Sequence, residues 1–395
     1  MDTIKIVDGT LREGEQTPGV IFTREEKLQI ARELDRAGVK LLDVGMPAVS
    51  AEERETISAI AREDLKASIG VSVRMRHEEI DQAVQCQANE IFLICPVSRL
   101  HIKDRLEIDE DDLQKLAEEM IRHAVDNGLL INLVAEDASR ADIPFLIHTL
   151  HQAHEAGAQR AFICDTVGIS EPFAMKTLIS KVREEIPQKM SLGVHCHNDF
   201  GLATANTLAA IAAGADYPSV TVNGIGERTG NAPLHEVVVA VEKLFQKNHG
   251  VDMHRLYGLS RLVEQCSGIF ITPQTPVVGL NAFRHESGIH VDGILKNSET
   301  YTGLDPREVN RTSSFVLGKH TGTQTIRHLL EHRGINASEE DLGKILCMVK
   351  DRKTAEGKDG IKRMADKISV FYEQCLTFPL KSFWKIVEEV LGKDD

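Results

Sequence analysis

Along the first 245 or so residues, short apolar runs alternate with longer amphipathic stretches. The amphipathic stretches carry hydrophobic residues at helical spacing and end at glycine, as at 23–38 and 109–128. The apolar runs predict eight strands, at 3–8, 40–45, 66–73, 90–95, 129–135, 160–165, 190–195 and 219–224. Strands that are hydrophobic along most of their length are typical of a parallel sheet covered on both faces.

The number and spacing of these units predict the fold class. Eight strand–helix units within about 245 residues match the size of a (β/α)8 TIM barrel. A doubly wound open sheet is the alternative, but no GxGxxG sequence follows the first strand. We therefore predict an α/β protein: a TIM barrel with a small α-rich C-terminal module.

The pattern changes after about residue 250. The segment TPQTPVVGLNAFRHESGIHVDGILKN (272–297) is rich in Pro, Gly and His, and short helical segments follow it. We predict a catalytic barrel over 1–250, a helix and linker over 251–280, a small module over 281–335 and a C-terminal helical module over 336–395.

Composition narrows the class of protein. Apolar residues make up 42% of the 395 residues and charged residues 27%, as in a soluble globular protein. No signal peptide or membrane-spanning stretch is recognisable, which favours a cytoplasmic protein. The formal charge of −14 argues against nucleic acid or an anionic membrane as a partner. The seven cysteines form no CxxC pair, as expected of reduced thiols.

Polar residues cluster where the predicted strands end, which is where TIM barrels carry their active sites. These strand ends supply Asp8 with Arg12 and Glu13, Asp43, Arg74, Glu136, Asp165 with Thr166, His195 with His197, and Asn223. Loops are polar in any protein, so each group needs its own chemical argument.

The sequence GVHCHND places His195 and His197 two residues apart at a strand end. Alternate side chains of a strand face the same way, so the two imidazoles can share one ion, although an isolated pair could equally make separate hydrogen bonds. Barrel closure brings the end of the first strand near them, and with it Glu13. Two imidazoles and a carboxylate suit a divalent ion such as Zn²⁺, Mn²⁺ or Mg²⁺.

Arg12 cannot ligate a metal because its guanidinium is always charged. Beside a metal it could stabilise an oxyanion that forms in a transition state. Its alternative role is a salt bridge to Asp8 or Glu15.

Four separated motifs carry a resemblance to a known family. They are TLREGEQTPG (10–19), GVHCHNDFGLATANTLAAIAAGA (193–215), NGIGERTGNAPLHEV (223–237) and FRHESGIHVDGILKNSETYTGLDP (283–306). Together they resemble the isopropylmalate synthase and homocitrate synthase family, and most of all homocitrate synthases of the nitrogen-fixation type. The resemblance implies an acyltransferase that condenses acetyl-CoA, its co-substrate, with a 2-oxo acid and then hydrolyses the thioester.

The resemblance also implies roles for individual residues. Matched motif by motif, it assigns the metal to Glu13, His195, His197 and Asn231, substrate contacts to Gln16, Asp43 and Thr166, polarisation of the carbonyl to Arg12, and acetyl-CoA enolisation to His290 and Tyr301 with support from Glu136. In this family the small module reaches the partner's barrel, which implies a homodimer.

Departures from the family pattern bear on the acceptor. Lysine-pathway homocitrate synthases carry an arginine and a serine where NLVAED has Asn132 and Val134. A dicarboxylate would then need another cation, and Arg74 or Arg76 is our candidate, the alternative being ordinary solvated arginines.

We predict homocitrate formation from 2-oxoglutarate. The alternatives are the same chemistry with another acceptor, as in 2-isopropylmalate, citramalate, Re-citrate or phosphonomethylmalate synthases. A related metal-dependent barrel lyase and a non-enzymatic metal-binding role are the remaining classes.

Overall fold

The computed structural model describes residues 3–356, 358–374 and 378–391. These form two compact units, one ending at Ile269 and the other beginning at Phe270. The domain boundaries drawn from the sequence stay predictions, and residues 392–395, at the end of the predicted terminal module, lie outside the described residues.

The first unit is a closed barrel of eight parallel strands, in which each strand pairs with the next and β8 pairs with β1. The strands are β1 (Val7–Asp8), β2 (Leu41–Asp43), β3 (Ser68–Arg74), β4 (Glu90–Pro96), β5 (Leu130–Glu136), β6 (Arg160–Asp165), β7 (Ser191–Cys196) and β8 (Tyr217–Val220). The predicted (β/α)8 fold class is confirmed.

Helices connect the strands and continue beyond the barrel. In the first unit they are α1 (Arg24–Arg36), α2 (Ala51–Ala61), α3 (His77–Gln85), α4 (Arg99–His101), α5 (Glu110–Asp126), α6 (Ile143–Ala156), α7 (Pro172–Glu185), α8 (Ala203–Ala212), α9 (Leu234–Phe245) and α10 (Leu256–Ser267). A π-helical turn at Ile102–Leu106 follows α4 directly. None of the helices in the described ranges is long and apolar enough to cross a membrane.

Helix α1 shows how local sequence sets an element. Thr23 caps it by accepting from the backbone N–H of Glu26, whose carboxylate in turn accepts from the N–H of Thr23. This reciprocal pair satisfies two amides that a helix start leaves without partners. The side chains of Lys27, Ile30 and Leu34 recur at helical spacing and are buried against the barrel.

Most predicted strands differ from the observed ones by one or two residues at an end, and the first and last differ most. The ladder of β1 begins only at Val7, because the amides of Ile4 and Lys5 donate to the carbonyls of Asn248 and Asp216, outside the neighbouring strands. Strand β8 ends at Val220 rather than at 224, and Val222–Gly224 forms a 3-10 turn. Asn223 has a φ of 60°, which asparagine tolerates better than most residues and which ends a strand.

An aromatic layer fills the barrel interior. The rings of Phe92 and Phe162 meet edge to face with centroids 5.6 Å apart. A Cβ at Gly70 would lie 2.6 Å from the ring of Phe92, so the missing side chain makes room for the ring. Gly193 gives Phe162 the same room. Val7, Leu41, Cys164 and Tyr217 complete this buried cluster.

The second unit is mainly helical. It contains a short parallel pair of strands, β9 (Arg284–His285) and β10 (Ser314–Phe315), with helix α11 (Gly288–Lys296) between them in the chain. Four helices follow β10: α12 (Thr323–Glu331), α13 (Glu339–Ala355), α14 (Asp359–Gln374) and α15 (Leu380–Leu391). This agrees with the predicted α-rich C-terminal module.

Candidate active site and metal centre

A cavity of about 620 Å³ opens at the carboxyl ends of the barrel strands. Most of the residues predicted from the sequence line it: Arg12, Glu13, Gln16, Asp43, Arg74, Glu136, Thr166, His195 and His197. Asn231 adjoins it through a backbone bridge to His197, whereas His290 and Tyr301 belong to the second unit.

Glu13, His195 and His197 converge on one point. One ligand atom from each lies within 4.8 Å of the others, and within the described residues no other such group of histidine, cysteine or acidic side chains is found. The Nε2 atoms of the two imidazoles face each other at 3.3 Å, and Oε1 of Glu13 lies 3.7 Å from Nε2 of His197. The turn after β1 places Glu13 there, because the amides of Arg12 and Glu13 both donate to the carbonyl of Gly9.

Several buried polar atoms at this point have no hydrogen-bond partner among the described residues: Oε1 of Glu13, Nδ1 of His197 and Oδ1 of Asn231. Such atoms are costly to bury unless something satisfies them. Ser219 lies 3.0 Å from Nδ1 of His195. If Nδ1 donates there, Nε2 keeps its lone pair for an ion. Two imidazole nitrogens and a carboxylate oxygen therefore fit a divalent cation, and the unpartnered Oδ1 of Asn231 belongs to a residue bridged to His197.

The protonation states suit the same role. Burial lowers the pKa of His195 to about 3, and the neighbouring His197 adds to the effect. Burial also lowers the pKa of His197. Burial by itself would raise the pKa of Glu13, but the charge of Arg12, with smaller contributions from His195 and His197, outweighs burial and brings the pKa down to about 2. At neutral pH the site presents neutral imidazoles and an ionised carboxylate, as metal ligation requires.

Arg12 is held by two carboxylates. Its Nε donates to Oδ2 of Asp43 at 2.7 Å, and its Nη1 forms a short ion pair with Glu13. The salt bridges expected as an alternative, to Asp8 or Glu15, are not the ones observed. Asp8 accepts instead from the amide of Thr10. Asp43, predicted as a substrate contact, orients Arg12 and also accepts from the hydroxyl of Ser72.

The other cations of the cavity differ in whether they are paired. Arg74 bonds Oε1 of Glu79 at 2.6 Å, and Arg105 binds both oxygens of Glu136. Glu136 is predicted to support a catalytic histidine, but here both of its oxygens bind Arg105. Arg76 lines the cavity with an exposed side chain, and no acidic partner is found for it among the described residues.

Two predicted substrate contacts lie on the wall. Gln16 is exposed, with its Nε2 3.9 Å from Sδ of Met46. The hydroxyl of Thr166 accepts from the amide of Asp137, at the end of the neighbouring strand. Two other strand-end groups serve the backbone instead: Asp165 accepts from the amides of Ile169 and Ser170, and Asn223 donates to the carbonyl of Ser260.

Sequence reasoning missed Arg105, Arg228 and Ser219. Arg228 lines the cavity and makes a bidentate salt bridge with Asp199. Arg105 follows its strand by nine residues, within the π-helical turn, so inspection of strand ends could not find it. In the structure, the π-helical turn that contains Arg105 draws attention to this residue, since such turns are frequent at functional sites.

In the second unit, His290 and Tyr301 lie against each other. Their rings stack with centroids 4.1 Å apart and planes inclined by 19°. His290 is exposed and Tyr301 is 43% exposed. The pair predicted from the sequence is therefore brought together.

Comparisons with known proteins agree with both units. Residues 3–263 match the HMGL-like family, and residues 277–358 match the homocitrate synthase post-HMGL domain-like family. The putative (R)-citramalate synthase of Methanopyrus kandleri is 45% identical over 88% of this chain and 69% of its own length. The (R)-citramalate synthase of Methanocaldococcus jannaschii is 43% identical, over 88% of this chain and 70% of its own length. The homocitrate synthase of Methanopyrus kandleri is 42% identical, over 88% of this chain and 87% of its own length.

Solved structures share the fold at low identity. The HMG-CoA lyase of Brucella melitensis superposes with a TM-score of 0.61 and 19% identity, over 68% of this chain and all (100%) of its own. The enzyme of the same name from Pseudomonas aeruginosa gives a TM-score of 0.61 over 67% of this chain and 93% of its own, again at 19% identity. This likeness concerns the barrel fold alone.

Proposed function

The chain belongs to the HMGL-like family, and from that premise we propose that it catalyses a metal-dependent Claisen condensation of acetyl-CoA with a 2-oxo acid, followed by thioester hydrolysis. The observation that carries the proposal is the convergence of Glu13, His195 and His197 in a cavity at the strand ends. The balanced reaction joins acetyl-CoA, the 2-oxo acid and water into a 2-hydroxy acid with one carboxylate more than the acceptor, and it releases coenzyme A.

Glu13, His195, His197 and the oxygen of Asn231 would hold the divalent ion, Mn²⁺, Mg²⁺ or Zn²⁺. When bound, the ion would polarise the keto group of a chelated 2-oxo acid. Arg12, fixed by Asp43 and Glu13, presents a permanent positive charge to the keto oxygen as it becomes an alkoxide. That charge stabilises the transition state of carbon–carbon bond formation.

His290 takes the role that the family resemblance implies, removing a proton from the methyl group of acetyl-CoA, with Tyr301 as its partner. A thioester methyl is a weak carbon acid, so its deprotonation needs a positioned base. The stacking of the two rings supports this assignment because Tyr301 limits how His290 can turn. We also propose the homodimer that the resemblance implies, which light scattering would detect.

For the acceptor, the cavity favours pyruvate and hence citramalate. Its inner wall is apolar, with Phe92, Ile94, Val134 and Phe162. The other arginines with a carboxylate partner, Arg74, Arg105 and Arg228, are each paired with an acidic side chain of the protein. A short uncharged acyl substituent needs no further cation, whereas a second substrate carboxylate does.

The homocitrate prediction remains the second candidate because of Arg76. This side chain lines the cavity and has no acidic partner among the described residues, so it could receive the distal carboxylate of 2-oxoglutarate. In that case Arg76→Gln raises KM for 2-oxoglutarate and leaves KM for pyruvate unchanged. Arg74→Gln, at an arginine already paired with Glu79, is the matched control.

The test is thiol release from acetyl-CoA with Mn²⁺ or Mg²⁺ and a panel of 2-oxo acids, which includes pyruvate, 2-oxoglutarate, 2-oxoisovalerate, oxaloacetate and phosphonopyruvate. We expect release with one of these acids, and we propose that this acid is pyruvate. His195→Ala should lose both the ion and turnover. Near-normal activity in that variant would refute the metal assignment, and no release with any acid would favour a lyase or a non-enzymatic metal-binding role.

A further inference from the structure

The most deeply buried cation of the barrel does not touch the cavity. Lys27, on α1, has a side chain only 1% exposed. Its Nζ lies 2.6 Å from Oε2 of Glu15 and 2.8 Å from Oε2 of Glu53. A buried ammonium is costly unless acidic partners satisfy it, and here two carboxylates do so.

The two partners belong to the segments that carry the candidate site. Glu15 lies two residues after Glu13, in the 3-10 turn Gly14–Gln16, and its other oxygen accepts from the amide of Phe22. Glu53 lies in the first turn of α2, and the backbone of Met46 donates to its carboxylate. Met46 follows Asp43 by three residues and lines the cavity. Lys27 therefore links the loop after β1, through Glu15, to the first turn of α2, through Glu53. Because Glu53 also accepts from the backbone of Met46, the link extends to the loop after β2.

A glycine makes room for this junction. A Cβ at Gly45, between Asp43 and Met46, would collide with the carboxylate of Glu53. The same two loops are also joined at the cavity, where Arg12 donates to Asp43 at 2.7 Å. The two loops are thus linked at two places. Arg12 and Asp43 link them at the cavity, and Lys27 links them away from the cavity through Glu15 and Glu53.

We propose that Lys27 is a positioning residue, whose ties to Glu15 and Glu53 fix the loop of Arg12 and Glu13 against the end of β2 and so set the geometry of the metal and acceptor site. The inference rests on the proposed function for its catalytic consequence. The connection between the loops stands on the contacts alone. Without the ammonium, Glu15 and Glu53 would face each other as like charges and push the two loops apart.

The chain offers a matched control. Arg32 also lies on α1 and pairs with Glu63, just after α2, but this pair is exposed and touches neither loop. Lys27→Met and Arg32→Met each remove one cation that links α1 to the region of α2. We expect backbone amides of 9–17 and 43–47 to exchange hydrogen about tenfold faster in Lys27→Met, with no change there in Arg32→Met. Unchanged exchange in Lys27→Met would overturn the proposal.

A second variant separates positioning from stability. In Lys27→Met/Glu15→Gln/Glu53→Gln no buried charge is left unpaired, so the melting temperature should return towards that of the unaltered protein. We expect its dissociation constant for Mn²⁺ to stay about tenfold higher, as when groups that orient metal ligands are lost. Recovery of Mn²⁺ affinity together with the melting temperature would show that Lys27 serves stability only.

The outcome is distinguishable from a failure of the proposed function. If the unaltered protein shows no metal-dependent turnover, the proposed reaction fails, but the exchange rates of the two loops still decide whether Lys27 fixes them. If Lys27→Met does not fold, exchange measured on the triple variant gives the same decision.

Discussion

At the scale of single residues, burial decides which charges the barrel can keep. Arg12 and Glu13 neutralise each other within the site, and Lys27 has two carboxylates. Asp8 has no such partner: its Oδ2 is buried without a hydrogen bond among the described residues, and burial raises its pKa from 3.8 to about 7.

Asp8 should therefore make stability depend on pH. Between about pH 4 and pH 7 the unfolded chain releases a proton that the folded protein retains, so the contribution of this group to stability falls as pH rises and stays low above pH 7. Asn resembles the protonated acid and carries no charge. We expect Asp8→Asn to raise the free energy of unfolding at pH 8 by a few kcal/mol, at about 1.4 kcal/mol per pH unit of the window, and by much less at acid pH.

Urea titrations of metal-free protein at about pH 5 and pH 8 measure this difference. A gain of equal size at both values would mean that lost hydrogen bonding or packing, rather than ionisation, governs the substitution.

The residues of the candidate site show how much of it the sequence alone can predict. The spacing of His195 and His197 predicts a shared direction, and barrel closure predicts that Glu13 comes near them. Both follow from backbone periodicity, and the structure has this arrangement. The pairing of Glu136 with Arg105 and of Arg74 with Glu79 depends on side chains from loops of unpredicted shape, so sequence alone could not choose these partners.

At the scale of elements, hydrophobic periodicity and capping residues predict which helices and strands exist better than they predict where each begins and ends. The capping residues of α1, Thr23 and Glu26, can be recognised in the sequence. The observed helix, Arg24–Arg36, lies within the predicted stretch at 23–38. The β-rich run SVTVNG predicts a strand to residue 224, but the positive φ of Asn223 interrupts it. Turn geometry at an Asn-Gly pair outweighs the hydrophobicity of its neighbours.

Helix α11 contains a glycine whose absent side chain matters for the predicted enolisation pair. A Cβ at Gly293 would lie 2.7 Å from the ring of Tyr301 and 3.0 Å from the hydroxyl of Thr300. Tyr301 would have to move away from His290. We expect Gly293→Ala to lower kcat about tenfold or more without lowering the melting temperature, because alanine favours the helix while the misplaced ring impairs proton removal.

Gly258→Ala is the control for this prediction. Gly258 also lies within a helix, α10, and has open space where its Cβ would be. Steady-state kinetics and thermal melts of the two variants side by side separate ring displacement from a general effect of alanine. Equal kcat in both would remove the role assigned to the stacked pair.

At the scale of the whole molecule, the division into two units parallels the division of chemical roles. The barrel unit, which ends at Ile269, contains Arg12, the metal-binding candidates and the cavity, whereas His290 and Tyr301, whose catalytic roles are proposals, follow Phe270. We expect a fragment of residues 1–269 to bind Mn²⁺ with an affinity close to that of the full chain, yet to release no thiol from acetyl-CoA with any 2-oxo acid.

Calorimetry with Mn²⁺ and the thiol assay test this fragment. Turnover by the fragment would exclude His290 and Tyr301 from the reaction. Loss of Mn²⁺ binding in a fragment that still shows the circular dichroism of a folded barrel would mean that the ion needs residues of the second unit.

The aromatic layer of Phe92 and Phe162 has a consequence for the order of events. Both rings line the cavity and belong to the buried cluster of the barrel interior, so we expect molecules to enter and leave at the carboxyl ends of the strands. On the proposed function, the 2-oxo acid binds at Glu13, His195 and His197, and we expect it to enter before the larger thioester. We likewise expect the product to leave only after coenzyme A, so that the shape of the cavity would set the order of binding and release.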